Sequence, residues 1–116
     1  LEGLRAGDMA DIEACFEPEA TFRAPFLTET LVGWRDISKH VLGLTVPHLS
    51  QMEILSVMEL DNQVIRTFRS RILDRDGLDQ VFEGAALYTF SRRDLIAGMQ
   101  LFLDERNLRL LLLRRP

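Results

Sequence analysis

The sequence predicts an α+β domain, with helices first and an antiparallel meander after them. Two observations carry that expectation. Ahead of residue 48, apolar residues recur at helical spacing, in Met9, Ile12 and Phe16 and again in Ile37, Val41 and Leu44. From His48 onward, four segments rich in Val, Ile, Leu, Phe and Tyr are divided by turn signals at Asp61-Asn62, Asp76-Gly77 and Arg92-Asp94. A chain of 116 residues buries enough surface for one core and too little for two, so residues 1–116 read as a single domain.

The elements follow in order. Leu1 and Leu4 precede Gly7 as the tail of an amphipathic helix would. The chain opens without a methionine or a charged and apolar leader, which reads as a start inside that first helix. Asp8 then offers an N-cap carboxylate to a second short helix carrying Met9, Ile12 and Phe16. Pro18 cannot continue it, and Ala20 to Phe26 reads as a strand in which Phe22, Ala24 and Phe26 alternate with Thr21, Arg23 and Pro25. After Gly33, Trp34 to Leu44 is expected to form a third helix closed by Gly43 and Pro47. Strands are expected at 50–59, 63–73, 80–90 and 95–103. The leucine run in Asp104 to Arg115 fits either a closing helix or a further strand.

Composition excludes several function classes. With 47% hydrophobic and 28% charged residues the chain falls in the ordinary globular range. Its longest apolar run, Leu110 to Leu113, is far short of the roughly 20 residues that span a bilayer. One cysteine, Cys15, makes no intramolecular disulfide, and no Cys/His cluster has metal-ligand spacing, so no metal is expected and a reducing cytoplasm is the expected compartment. The net charge is −4, with −6 in residues 1–60 and +2 in 61–116. In the basic half Arg66, Arg69, Arg71 and Arg75 are interleaved with Asp74 and Asp76, which reads as solvated strand faces rather than a phosphate-binding stripe, so nucleic acid is not an expected partner.

Three strings carry a family resemblance: Ala6-Gly7-Asp8-Met9; Ala20-Thr21-Phe22-Arg23-Ala24-Pro25 running to Gly33-Trp34-Arg35-Asp36-Ile37; and Tyr88-Thr89-Phe90 running to Met99-Gln100-Leu101-Phe102-Leu103-Asp104. In this order they resemble the α+β fold shared by nuclear transport factor 2, ketosteroid isomerase and SnoaL-like polyketide cyclases. The resemblance implies a cone-shaped, curved antiparallel sheet, with about three N-terminal helices enclosing an apolar pocket, and a homodimer formed through the outer sheet face. On that basis Phe22, Ala24, Trp34, Phe82, Ala86, Phe90 and Met99 are expected to line the pocket. Fold alone does not set the activity, because this architecture hosts several chemistries and non-catalytic proteins.

Carried over residue by residue, the resemblance argues against classical ketosteroid isomerisation. Where that enzyme has its carboxylate base before a proline, this chain has Ala24 before Pro25, and its oxyanion-stabilising carboxylate is replaced by Ala86. The SnoaL-like cyclases place an acid/base carboxylate in an aromatic-x-Asp pattern, which Phe102-Leu103-Asp104 matches. Asp104 inherits that role through the resemblance; its alternative is to end the strand or cap a helix.

Two further side chains are candidates on their own chemistry. His40 falls three residues after Ile37, which fits a general acid/base at a pocket mouth, or a half-buried histidine bonded to a backbone carbonyl. Tyr88 shares a strand face with Phe82, Gly84, Ala86 and Phe90, where its hydroxyl either orients a ligand carbonyl or simply finds a core partner. Glu83 lies on the opposite face and is expected to pair with Arg69 or Arg71, or to sit in a dimer interface. Gly84, Ala85 and Ala86 mark either a cavity or a bend. His48 reads as a surface residue and Cys15 as inert. No glycine-rich phosphate loop or catalytic-triad order is present, and no cofactor is expected. Two functions remain from different classes. One is a protein binding a small apolar molecule, with cofactor-free acid-base chemistry of cyclase, isomerase or hydrolase type. The other is a non-catalytic dimeric ligand-binding or interaction module.

Overall fold

The computed structural model describes residues 13–45 and 52–113. Six strands form one sheet: β1 (Phe16–Arg23), β2 (Leu31–Val32), β3 (Glu53–Leu60), β4 (Gln63–Leu73), β5 (Asp79–Phe90) and β6 (Ile96–Phe102). Two helices accompany it, α1 (Trp34–Thr45) and α2 (Glu105–Leu112). Helical backbone at Glu13 and Ala14 leads into β1 through Cys15; the earlier parts of the two expected N-terminal helices, with Met9 and Ile12, lie outside the described residues. Two helices rather than three are therefore described in full.

The sheet order is β2-β1-β6-β5-β4-β3. The meander β3 to β6 is antiparallel throughout, as expected from its turns. Asp61 and Asp94 take positive φ angles of 52° and 59°, and Gly77 takes 81°, so each turn signal supplies the left-handed residue that its hairpin requires. In the middle turn Asp74 Oδ1 accepts from the backbone N–H groups of Asp76 and Leu78, both at 2.9 Å.

The sheet closes through β1, which runs parallel to β6. This strand begins at Phe16 rather than Ala20 and passes through Pro18, because the register with β6 shifts between Phe16 and Thr21 and no ladder N–H is needed there. It ends at Arg23 rather than Phe26: Pro25 has no N–H to give, and the chain turns with Leu27 N–H bonding Ala24 O at 3.0 Å. The two-residue β2 carries no periodic signal and was not expected from the sequence. Asp104 to Arg115 resolves in favour of the helix, α2.

One face of the sheet carries the core. From β1, Ala20 and Phe22 meet Ala86 and Tyr88 of β5 and Met99 and Leu101 of β6, with Ile37 of α1 covering them. A second cluster joins Ile72, Phe82 and Leu111, which seats α2 on the same face. Burying one large aliphatic or aromatic side chain of this kind contributes about 1.5–3 kcal/mol. Gly84 completes the face: a Cβ there would lie 2.7 Å from Leu103 Cδ2 and 2.8 Å from Phe68 Cζ. Within the Gly84-Ala85-Ala86 run, Gly84 thus accommodates close neighbours and Ala86 is buried in the core, while Gly84 and Ala85 also border a cleft.

Candidate functional site

The described residues border an open cleft of about 720 Å³. Its walls are the turn after β1 (Ala24 to Thr30), Leu55 of β3, the middle of β4 and of β5, the end of β6, and the start of α2. Thr67, Ala85, Gln100 and Phe102 belong to it, and the strand registers place these on the face opposite the core. Polar and apolar groups alternate along the wall, with Arg23, Glu29, Glu83 and Asp104 as its ionisable members.

Asp104 stands on the rim of this cleft and also caps α2. Its Oδ1 accepts from the backbone N–H of Asn107 at 2.8 Å and from Asn107 Nδ2 at 2.7 Å. These hydrogen bonds, helped by the nearby Arg106 charge, hold its carboxyl below the usual carboxylate range. The group is ionised at neutral pH, which suits a hydrogen-bond acceptor and makes it a weaker base than an ordinary carboxylate. Oδ2 has no hydrogen-bond partner among the described residues. Asn107, itself buried, turns its Oδ1 to the backbone N–H of Glu83 at 2.8 Å, which ties the cap to β5.

Tyr88 lies elsewhere. It is 2% exposed within the core cluster, and its hydroxyl oxygen accepts from Arg66 Nη2 at 2.6 Å. The guanidinium carbon sits 4.9 Å from the ring centroid, over the ring face. Because the phenolic oxygen is the acceptor in that bond, the hydroxyl proton is not used by it. Arg66 was read from the sequence as one of several solvated arginines, and the structure separates it from them. Arg69 bridges Glu53 at 3.4 Å and Glu83 at 4.0 Å, and Arg71 bridges Asp79, whereas Arg66 turns to the core face. The signal lay in the alternation, since Arg66 shares the strand face of Phe68 and Ile72.

Of the seven residues expected to line a pocket, Ala24 borders the cleft. Phe22, Ala86 and Met99 are buried in the first core cluster, with Trp34 and Phe90 against it, and Phe82 is in the second. His40 falls on α1, but its side chain lies outside the described residues, as does His48. Asp104 and Tyr88 therefore belong to different environments, a cleft rim and a core. Cys15 is half-buried. No group of three or more His, Cys, Asp or Glu able to hold a metal occurs among the described residues, and no described helix is long and apolar enough to cross a membrane.

The fold is that of a known class. A family model described as the SnoaL-like domain matches residues 1–99, and the chain belongs to that family. Similar solved structures share the architecture. A steroid delta-isomerase from Pseudomonas aeruginosa has a TM-score of 0.78 and 15% identity, covering 95% of this chain and 78% of that one. A putative SnoaL-like polyketide cyclase from Jannaschia sp. CCS1 has a TM-score of 0.77 and 14% identity, covering 99% and 86%. The epoxide hydrolase/cyclase-like enzyme SalBIII, of pyran ring formation in polyether salinomycin, has a TM-score of 0.74 and 15% identity, covering 91% and 85%. At such identities the likeness establishes the fold: α+β, with a six-stranded curved sheet. No curated protein matches the sequence.

Proposed function

We propose that this SnoaL-like protein binds a small, mainly apolar molecule in the cleft between the Ala24–Thr30 turn and the rim at Asp104. The observation that carries the reading is the cleft itself, whose volume of about 720 Å³ falls within the roughly 300–1,000 Å³ of small-molecule sites. Leu27, Ala85 and Phe102 supply apolar contact, while Thr67, Gln100 and Asp104 supply a few orienting polar groups. Steroid and polyketide are the substrate words in the names of similar structures, and a ring-bearing molecule of that kind suits such a wall. If turnover occurs, Asp104 is its base, acting through Oδ2 on a proton of the bound molecule without a cofactor. Tyr88 lies in the core and does not border the cleft, so it takes no part in that step. A cytoplasmic setting agrees with a sequence that carries one cysteine, Cys15.

A panel of steroids and aromatic ketones tested by thermal shift decides the matter. A binder present at a hundredfold its Kd stabilises the protein by about 2.7 kcal/mol. Ala85→Trp fills the cleft from the outer face of β5 and removes that stabilisation. A binder that stabilises Ala85→Trp as well as the parent contradicts the site. Loss of turnover in Asp104→Asn with binding retained establishes the catalytic form.

The second reading is a dimeric module without chemistry. Met58, 67% exposed, together with Ile65, Leu60 and Phe102, shows large apolar side chains on the outer face of the sheet. That is the face through which a homodimer would form. Sedimentation equilibrium tests it: Ile65→Glu converts a dimer to a monomer, and a monomeric parent removes the reading.

A further inference from the structure

Every paired arginine side chain named above points to the outer face or solvent, but Arg66 does not. It is half-buried on the core face between Val57 of β3 and Ala86 of β5. Its Nε has no accessible surface and no hydrogen-bond partner. No carboxylate among the described residues forms an ion pair with it. Glu59, two residues beyond Val57 on the same face, makes none either. Among the described residues its one side-chain hydrogen bond is to Tyr88, a neutral group. A half-buried guanidinium with an inaccessible, unpaired Nε and no counter-charge among the described residues carries a cost that a ligand would relieve. The surroundings define what such a ligand would be. Tyr88 holds the guanidinium from one side by a hydrogen bond and from below by its ring, and retains its own hydroxyl proton for donation. On the open side lie apolar groups, Val57 at 54% exposed and Ile54 at 37%.

We infer that Arg66 and Tyr88 form a binding site for an organic anion, a molecule with one carboxylate or enolate oxygen on an apolar body. The oxygen accepts from the guanidinium and from the Tyr88 hydroxyl, and the body lies along Val57 and Ile54. Neither Arg66 nor Tyr88 borders the cleft proposed above, so this site is separate from it and does not depend on that reading.

The probes are 1-naphthoate and its neutral isostere 1-naphthamide, measured by calorimetry. Tyr88 is the only tyrosine in the chain, so its ring resonances report the site directly in ring-labelled protein. The expected result is that naphthoate binds at least about tenfold more tightly than naphthamide, the increment of one charge-assisted hydrogen bond. Naphthoate also shifts the Tyr88 ring signals, and the preference disappears in Arg66→Gln. Equal affinities, no binding of naphthoate at millimolar concentration, an unmoved Tyr88 signal, or a preference that survives in Arg66→Gln each overturns the inference. Should Arg66→Gln fail to fold, the naphthoate–naphthamide ratio and the Tyr88 signal in the parent protein decide it unaided.

Discussion

Asp104 and Asn107 are joined twice through one carboxylate oxygen, which accepts both the backbone N–H and the side-chain amide of Asn107. The first bond satisfies an otherwise orphaned donor at the start of α2. The second fixes the amide so that its oxygen reaches the Glu83 N–H. A residue placed by resemblance in a catalytic position is thus also a structural cap.

Removing the carboxylate therefore has a signature separable from chemistry. Asp104→Ala lowers the thermal midpoint, and amide exchange at Asn107 and Leu108, in the first turn of α2, becomes faster. The folded carboxyl is held below its ordinary value, so its stabilising contribution is complete above the usual carboxylate range and is lost as pH falls through the depressed value. Urea midpoints measured from neutral to strongly acidic pH show that loss in the parent, and Asp104→Asn shows less of it. Parallel profiles for the two proteins contradict the capping account.

Glu17 anchors the start of β1 to the β5–β6 turn. Its Oε1 accepts from Ser91 Oγ at 2.6 Å and Arg93 Nε at 3.2 Å, and its Oε2 accepts from Arg93 Nη2. The Arg93 and Ser91 hydrogen bonds depress its pKa, so this tie too is intact at neutral pH and released in acid. Glu17→Gln is expected to lower stability at neutral pH and to converge on the parent at low pH. A constant difference across the range removes the ion pair from the explanation.

Gly84 has no room for a side chain. The methyl of Gly84→Ala must displace Leu103 or Phe68 and also meets Phe102 O at 3.0 Å. Overpacking of this kind costs about 1–3 kcal/mol, which chemical denaturation at equilibrium measures. A Gly84→Ala protein as stable as the parent means the two side chains move aside freely.

Tyr88→Phe tests the hydroxyl alone, since ring volume and burial are unchanged. Losing the acceptor for a half-buried guanidinium costs about 1–3 kcal/mol. Replacing Arg66 by Met in the same background recovers part of that loss, because no charge is then left without a partner. A double-mutant cycle with no coupling between the two positions rules out the pairing as a stabilising contact.

Much of the fold was legible because local rules and global structure agree. The strand from Gln63 to Leu73 emerged with the expected bounds, and all three hairpins turn at the Asp, Asn and Gly positions that favour left-handed backbone. What escaped reading is non-local. The parallel pairing of β1 with β6 joins segments far apart in sequence, and the shift at Phe16 to Thr21 that admits Pro18 has no local mark. Asp104 and Ala24 are singled out in the sequence by motif position, whereas the cleft that both border depends on how α2 and the turn after β1 converge. Arg66 was grouped with Arg69 and Arg71 by composition, although strand parity sets it apart from both.

The central claim is that the cleft receives a small molecule. A crystal structure grown with the best thermal-shift binder tests it most directly. The account predicts ligand density between the Ala24–Thr30 turn, Phe102 and the free Oδ2 of Asp104. Density against the sheet elsewhere, or a cleft filled by the outer face of a second copy while the binder is absent from it, contradicts the claim.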